Sequence, residues 1–247
     1  MIRKDLMKKG LGEKNGFQWR GKEVSRLEGF SDAVFAFAVT LLVVSLSVPN
    51  TFSELMQLIK GFAAFGISFT LLIIIWYTHY MFFRRYGLND KFTIVVNSIL
   101  LFVVLFYIYP LKFLFSLIIN QLYGNSSGMI IPSQSASLMI IYSAGYLAIF
   151  LIFVILYFHA YKLRKKLELN EYEIFYTKYY IQVFSFHVLI SLSSTIIAFF
   201  GGLHFIALAG FIYFLLGPIL ALHGWISGKK GKTIKENMGN SISKSTE

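Results

Sequence analysis

Cysteine is absent from all 247 residues, which excludes disulfides, thiolate catalysis and cysteine-ligated metals at once. Charge is scarce. Only 14% of residues are Asp, Glu, Lys or Arg, against roughly 25% in a soluble domain, and 12 acidic residues face 23 basic ones. What fills the chain instead is apolar: 56% of it is hydrophobic and the mean hydropathy is +0.65. The apolar residues gather in blocks of about 20 or more, enough to cross a hydrocarbon core about 30 Å thick at about 1.5 Å per residue. The short alternating segments of a membrane barrel are missing. The expected fold is therefore all-α, a polytopic membrane protein.

Six spans are expected, at 27–47, 55–83, 92–119, 136–162, 180–200 and 203–226. Residues 1–25 form a basic segment before them, 26–226 a six-helix membrane domain, and 227–247 a basic tail rich in Ser, Asn and Lys that is expected to be disordered and to lie at most against anionic lipid. No small-x-small cleavage site follows the first block, so the first span is expected to remain in the mature chain. Orientation follows from the cations, because cytoplasmic flanks retain Lys and Arg. Eight lie in 1–26, three in 84–91, five in 162–178 and five in 229–244, while the connections 48–53, 120–135 and 201–204 contain none. Both termini are thus expected in the cytoplasm, in a multi-pass protein of the cell membrane. The net charge of +11 is accounted for by topology and requires no nucleic-acid partner. Lys60 and Lys112, the two cations left over, fall near the outer ends of their spans and are expected to snorkel to the headgroups.

Several motifs fail on inspection. Gly16 to Glu23 carries the G-x4-G-K spacing of a phosphate loop, but Glu23 stands where a Ser or Thr would hold magnesium, and no strand precedes it. The five histidines form no H-x3-H or H-E-x-x-H pair, which leaves a helix-borne metal site unsupported. No G-x-S-x-G occurs, nor two carboxylates within the membrane blocks that would share acid and base roles. An enzyme is not expected. Asn125-Ser126-Ser127 forms a glycosylation sequon on the outer side, of consequence only in a eukaryotic host.

The informative stretch is RLEGFSDAVFAFAVTLLVVSL, residues 26–46. Asp32 lies about 9 Å along the helix from Arg26, where an ionised carboxylate is costly unless it faces protein, water or a cation. Six residues put Arg26 and Asp32 on different faces, so a partner from another helix or subunit is implied. The best candidate is His79, with Trp76 one turn before it and Asn97 at a similar depth in the third span. Farther along, Gly29, Ala33, Ala36 and Thr40 make a ridge of small residues that lets helices approach closely. Beside it Phe30, Val34, Phe37, Leu41 and Val44 make an apolar stripe. Such a stripe is either ordinary packing or the wall of a conduction path, since narrow apolar pores control passage by dewetting.

Arg26-x-x-x-Phe30-Ser31-Asp32, continuing through Ala33 to Val44, resembles the R-x-x-x-F-S-D signature and first helix of the lysosomal potassium channel family, transmembrane protein 175, in its bacterial form. Six spans, the cytoplasmic start and Trp76-x-x-His79 agree with it. The resemblance implies a cation channel, selective or weakly selective for potassium, without a T-V-G-Y-G filter and without a cofactor. It implies a homotetramer with the first helices around a central pore in the lipid bilayer and potassium as the permeant ion. Phe37 would fall at the narrowest point, with Leu41 and Val44 as further rings and Thr40 as a hydroxyl position. Arg26, Ser31 and Asp32 would tie the pore helix to Trp76, His79 and Asn97. The family usually has Ile or Leu at the constriction, and Phe37 departs from that. Two rival readings are a proton-coupled carrier in which Asp32 and His79 titrate, and a scaffold that conducts nothing.

Overall fold

The computed structural model describes residues 17–44, 48–122 and 134–244. The elements among them are α1 (Arg26–Val44), α2 (Phe52–Tyr86), α3 (Lys91–Leu122), α4 (Ser135–Lys162), α5 (Glu171–Phe200), α6 (Gly202–Phe211), a 3-10 turn (Ile212–Leu215) and α7 (Leu216–Lys244). Among the described residues, six stretches are long and apolar enough to cross a membrane: the first five helices, and Phe205–Met238, which takes in parts of α6 and α7. The glycosylation sequon and the side chain of Lys60 lie outside the described residues.

Local chemistry sets the helix ends. Thr51 caps α2, its hydroxyl accepting the Glu54 amide at 3.2 Å, and Gly87 closes it at φ 58°, with its amide on the Phe83 carbonyl at 2.8 Å. Asp90 opens α3 by accepting the Thr93 amide at 2.9 Å. Asn170 and Glu173 form a reciprocal capping box on α5. Helix α5 therefore begins nine residues ahead of the expected span start at 180, because its first turns are capped and polar.

The last span departs further from expectation. Residues 212–215 tighten into a 3-10 turn, and Pro218, which has no amide to give the Phe214 carbonyl, explains why the regular ladder is interrupted there. Helix α7 then continues to Lys244, where a disordered tail was expected from 227. It is supported by α5: Tyr179 stacks on His223 at 5.0 Å, and Gly231 sits so close that a Cβ would lie 2.8 Å from the Tyr176 hydroxyl. Composition alone misses this support.

The aromatic part of the core lies among α2, α4 and α5, and α3 adds Leu100, Leu101 and Val104 to the same core. Phe82 meets Tyr157 at 5.2 Å, Tyr157 meets Phe184 at 5.1 Å, and Phe153 meets Phe184 at 5.4 Å. Its polar tips are paired: Tyr86 donates to Thr177 Oγ1 at 2.8 Å, because the Thr177 hydrogen already goes to the Glu173 carbonyl. Helices α3 and α4 approach closely at Gly145, where a Cβ would collide with the Tyr107 ring.

Segment Phe17–Lys22, just before α1, is stitched to the end of the bundle. Glu173, fully buried, accepts four hydrogen bonds: two from Arg20 at 2.9 and 2.7 Å, one from the Gln18 amide at 2.9 Å and one from the Asn170 amide at 3.0 Å. Arg20 spends its remaining donors on the carbonyls of Leu167, Glu168 and Gln18. Gly21, the glycine of the rejected phosphate loop, has a packing reason, since a Cβ there would lie 2.5 Å from the Phe83 carbonyl.

Candidate functional site

Helix α1 has two unlike sides. Glu28, Ser31, Phe35, Ala38 and Leu42 recur every three or four residues and are buried against the chain's own α2 and α3. The opposite side is uncovered in a single chain: Phe30 is 61% exposed, Phe37 55% and Val44 71%, and Gly29, Ala33, Ala36 and Thr40 are open beside them. Leu41 lies half-buried at the margin. The small-residue ridge thus faces outward, and no side chain comes within 4 Å of where a Cβ on Gly29 would be. The Thr40 hydroxyl donates to the Ala36 carbonyl at 3.0 Å, which leaves its oxygen lone pairs on the open side.

The buried side is fixed by a chain of polar groups. Asn97 donates its amide hydrogen to Ser31 Oγ at 2.9 Å, and Ser31 donates onward to the Leu27 carbonyl at 2.8 Å. The other end of Asn97, Oδ1, meets His79 Nε2 at 2.8 Å. Since that oxygen only accepts, Nε2 carries the proton and the tautomer follows. All three side chains are within 1% of complete burial, and the His79 ring is packed between Phe35 and Phe83. Asp32 stands apart: it accepts the Trp76 indole hydrogen at 2.8 Å. An open cleft of about 350 Å³ between α1 and α2 is lined by Asp32, Phe35, Ala36, Val39, Leu72, Ile73 and Trp76.

Of the six expected anchoring residues, five meet across α1, α2 and α3. Arg26 does not. It is exposed at the first residue of α1 and makes no hydrogen bond or ion pair among the described residues. His79 is not the partner of Asp32, as the depth of the two residues led one to expect; rotation of α2 hands the carboxylate to Trp76 and the imidazole to Asn97. Two contributors escaped the sequence reading. Ser25 and Glu28 form a capping box at the foot of α1, at 2.7 and 3.2 Å, and S-x-x-E was its legible signal. Lys112 does more than snorkel: its Nζ donates to the Leu42 carbonyl at 3.2 Å, placing a cation on the C-terminal end of α1, where the helix dipole favours one.

Comparison with known proteins places this arrangement. Residues 26–107 match the family described as endosomal/lysosomal potassium channel TMEM175. A protein of Marivirga tractuosa named potassium channel is 42% identical over 240 residues, which covers 92% of this chain and 97% of that one. The chain belongs to the TMEM175 family. A second relative, a protein of Chamaesiphon minutus also named potassium channel, is 30% identical over 146 residues, 56% of this chain and 66% of its own length. The crystal structure of a variant of the potassium channel MtTMEM175, bound to a nanobody–MBP fusion, superposes with a TM-score of 0.78 at 42% identity, over 89% of this chain and all of that one. A Chamaesiphon minutus homologue of the lysosomal potassium-selective channel TMEM175 superposes at 0.54 with 25% identity, over 80% of this chain and 95% of that one. The family match covers α1, α2 and the first half of α3, the three helices that carry the polar anchor.

Proposed function

We propose that this protein is a potassium channel that conducts passively along the uncovered side of α1, four copies of which surround a common axis. The observation that carries the reading is the division of α1 itself. One side is held on its own subunit by Ser31, Asn97 and His79, and by Asp32 on Trp76; the other presents Phe30, Phe37, Thr40 and Val44 with nothing over them. A helix clamped along one side can offer its other side as a rigid wall. Four Phe37 rings make an apolar constriction that water leaves readily, and rings turned aside would offer their faces to a cation. Thr40, one turn from Phe37 in spacing, supplies oxygen to an ion shedding part of its hydration. Potassium specificity is carried over from the relatives' names and from family membership. A carrier relay through Asp32 and His79 has no direct hydrogen bond between them to support it: Asp32 accepts from Trp76, and His79 Nε2 donates to Asn97.

Single-channel recording of the purified protein in bilayers tests this. Discrete conductance steps with a potassium-over-sodium preference are the expected result. Saturable flux that depends on a proton gradient would overturn it in favour of a carrier, and silence in a folded oligomer in favour of a scaffold.

A further inference from the structure

We propose that the corner between α4 and α5 binds an anionic phospholipid from the leaflet at the basic end of the bundle. This stands apart from the conduction path and does not depend on it. Leu151, Ile155 and Phe158 are exposed at i, i+4 and i+7 on α4, so they form one apolar stripe down the outside of the helix. Lys162 continues the stripe at the next turn, its Nζ 4.8 Å from the Phe158 ring centroid. Beside it the Tyr161 ring takes two cations, the Arg164 guanidinium at 4.6 Å and Lys178 Nζ at 5.4 Å. Lys165 and Lys166 come next in the chain, both exposed.

None of these five cations makes an ion pair among the described residues. Glu173, the buried acid of this end, is consumed by Arg20, and the exposed Glu168 and Glu171 pair with none of the five. Two like charges gathered on one ring repel, and an anion placed between them removes that repulsion. Arg164 gives one N–H to the Tyr161 carbonyl at 3.1 Å and keeps others for a phosphate, which its planar fork suits. The apolar stripe running straight into the cluster selects a lipid over a free anion: the acyl chain lies on Leu151, Ile155 and Phe158 while the phosphodiester sits at Lys162, Arg164 and Lys178.

The test is native mass spectrometry of the full-length protein released from mixed phosphatidylglycerol and phosphatidylcholine bilayers. Wild type retains phosphatidylglycerol preferentially. Arg164→Gln with Lys178→Gln weakens retention by roughly thirty-fold, at about five-fold per cation removed, while Arg164→Lys with Lys178→Arg, which keeps both charges, restores it. Phe158→Ala weakens retention with every charge intact. Lys232→Gln with Lys235→Gln, an equal loss of charge on α7, leaves it unchanged. Equal losses in the α7 pair and the α4–α5 pair would overturn the proposal in favour of diffuse attraction. So would undiminished retention in Arg164→Gln/Lys178→Gln, or displacement of the lipid by inorganic phosphate with Phe158→Ala binding as wild type.

Discussion

Phe37 leaves the backbone of α1 on the side opposite Ala38 and Leu42, which are at most 1% exposed, so its ring is free to reach an axis. Phe37→Ala shortens it to a methyl group and is expected to raise potassium flux in recordings; unchanged flux from folded protein would remove Phe37 from the constriction. Asn97 answers to a different physics. It is buried completely and serves Ser31 and His79 together, so Asn97→Leu leaves two buried polar groups without their partner, at about 1–3 kcal/mol each. Thermal unfolding in detergent should show the loss. Ser31, Asp32, Trp76, His79 and Asn97 were legible because a polar residue in an apolar helix has to be satisfied by something. Their pairing was not, because a small rotation of α2 decides whether Trp76 or His79 meets Asp32.

At the scale of elements, the caps and the Arg20–Glu173 pair hold the basic end together. Removing one member of a buried pair costs about 3–5 kcal/mol, and Glu173 also receives the amides of Gln18 and Asn170, so Glu173→Ala is expected to destabilise by at least the lower figure. Protease sensitivity near Gln18 would report release of the segment before α1. Asp90 gives a pH signature. Partial burial works to raise its carboxyl pKa, but hydrogen bonds from the Thr93 amide, His159 and the Thr93 hydroxyl outweigh that and hold it below the usual carboxylate value. A lowered folded-state pKa contributes stability that is present above the ordinary value near 3.8 and lost as pH falls through the lowered one. Melting temperature should therefore drop more steeply on acidification below about pH 4 in wild type than in Asp90→Asn. The ionic latch was invisible in the sequence: its members are 153 residues apart, and no local pattern joins them. Ser25-x-x-Glu28 was visible, because a capping box is complete within one helical turn.

For the whole molecule, the proposed tetramer would cover the side of α1 that a single chain leaves exposed. The absence of native cysteine makes the assembly easy to probe, because any thiol introduced is the only one present. Phe37→Cys is expected to form disulfide-linked dimers across the axis on mild oxidation and to lose current to a water-soluble thiol reagent. Monomeric protein under oxidation, with current indifferent to the reagent, would show that the α1 surface faces lipid.

Six apolar blocks, the placement of cations and the two-sided character of α1 were determined by the sequence alone, because membrane partitioning and helical periodicity act on neighbouring residues. Beyond 227, where a disordered tail was expected, α7 continues as helix and Gly231 packs against Tyr176 of α5, a contact with no trace in the tail's own composition. Tertiary structure alone decided the partners of Asp32 and His79, the commitment of Arg20 to Glu173, and the gathering of Arg164 and Lys178 on Tyr161. Each is a contact between side chains brought together by helix rotation and packing, and the energies that set those rotations are summed over the fold.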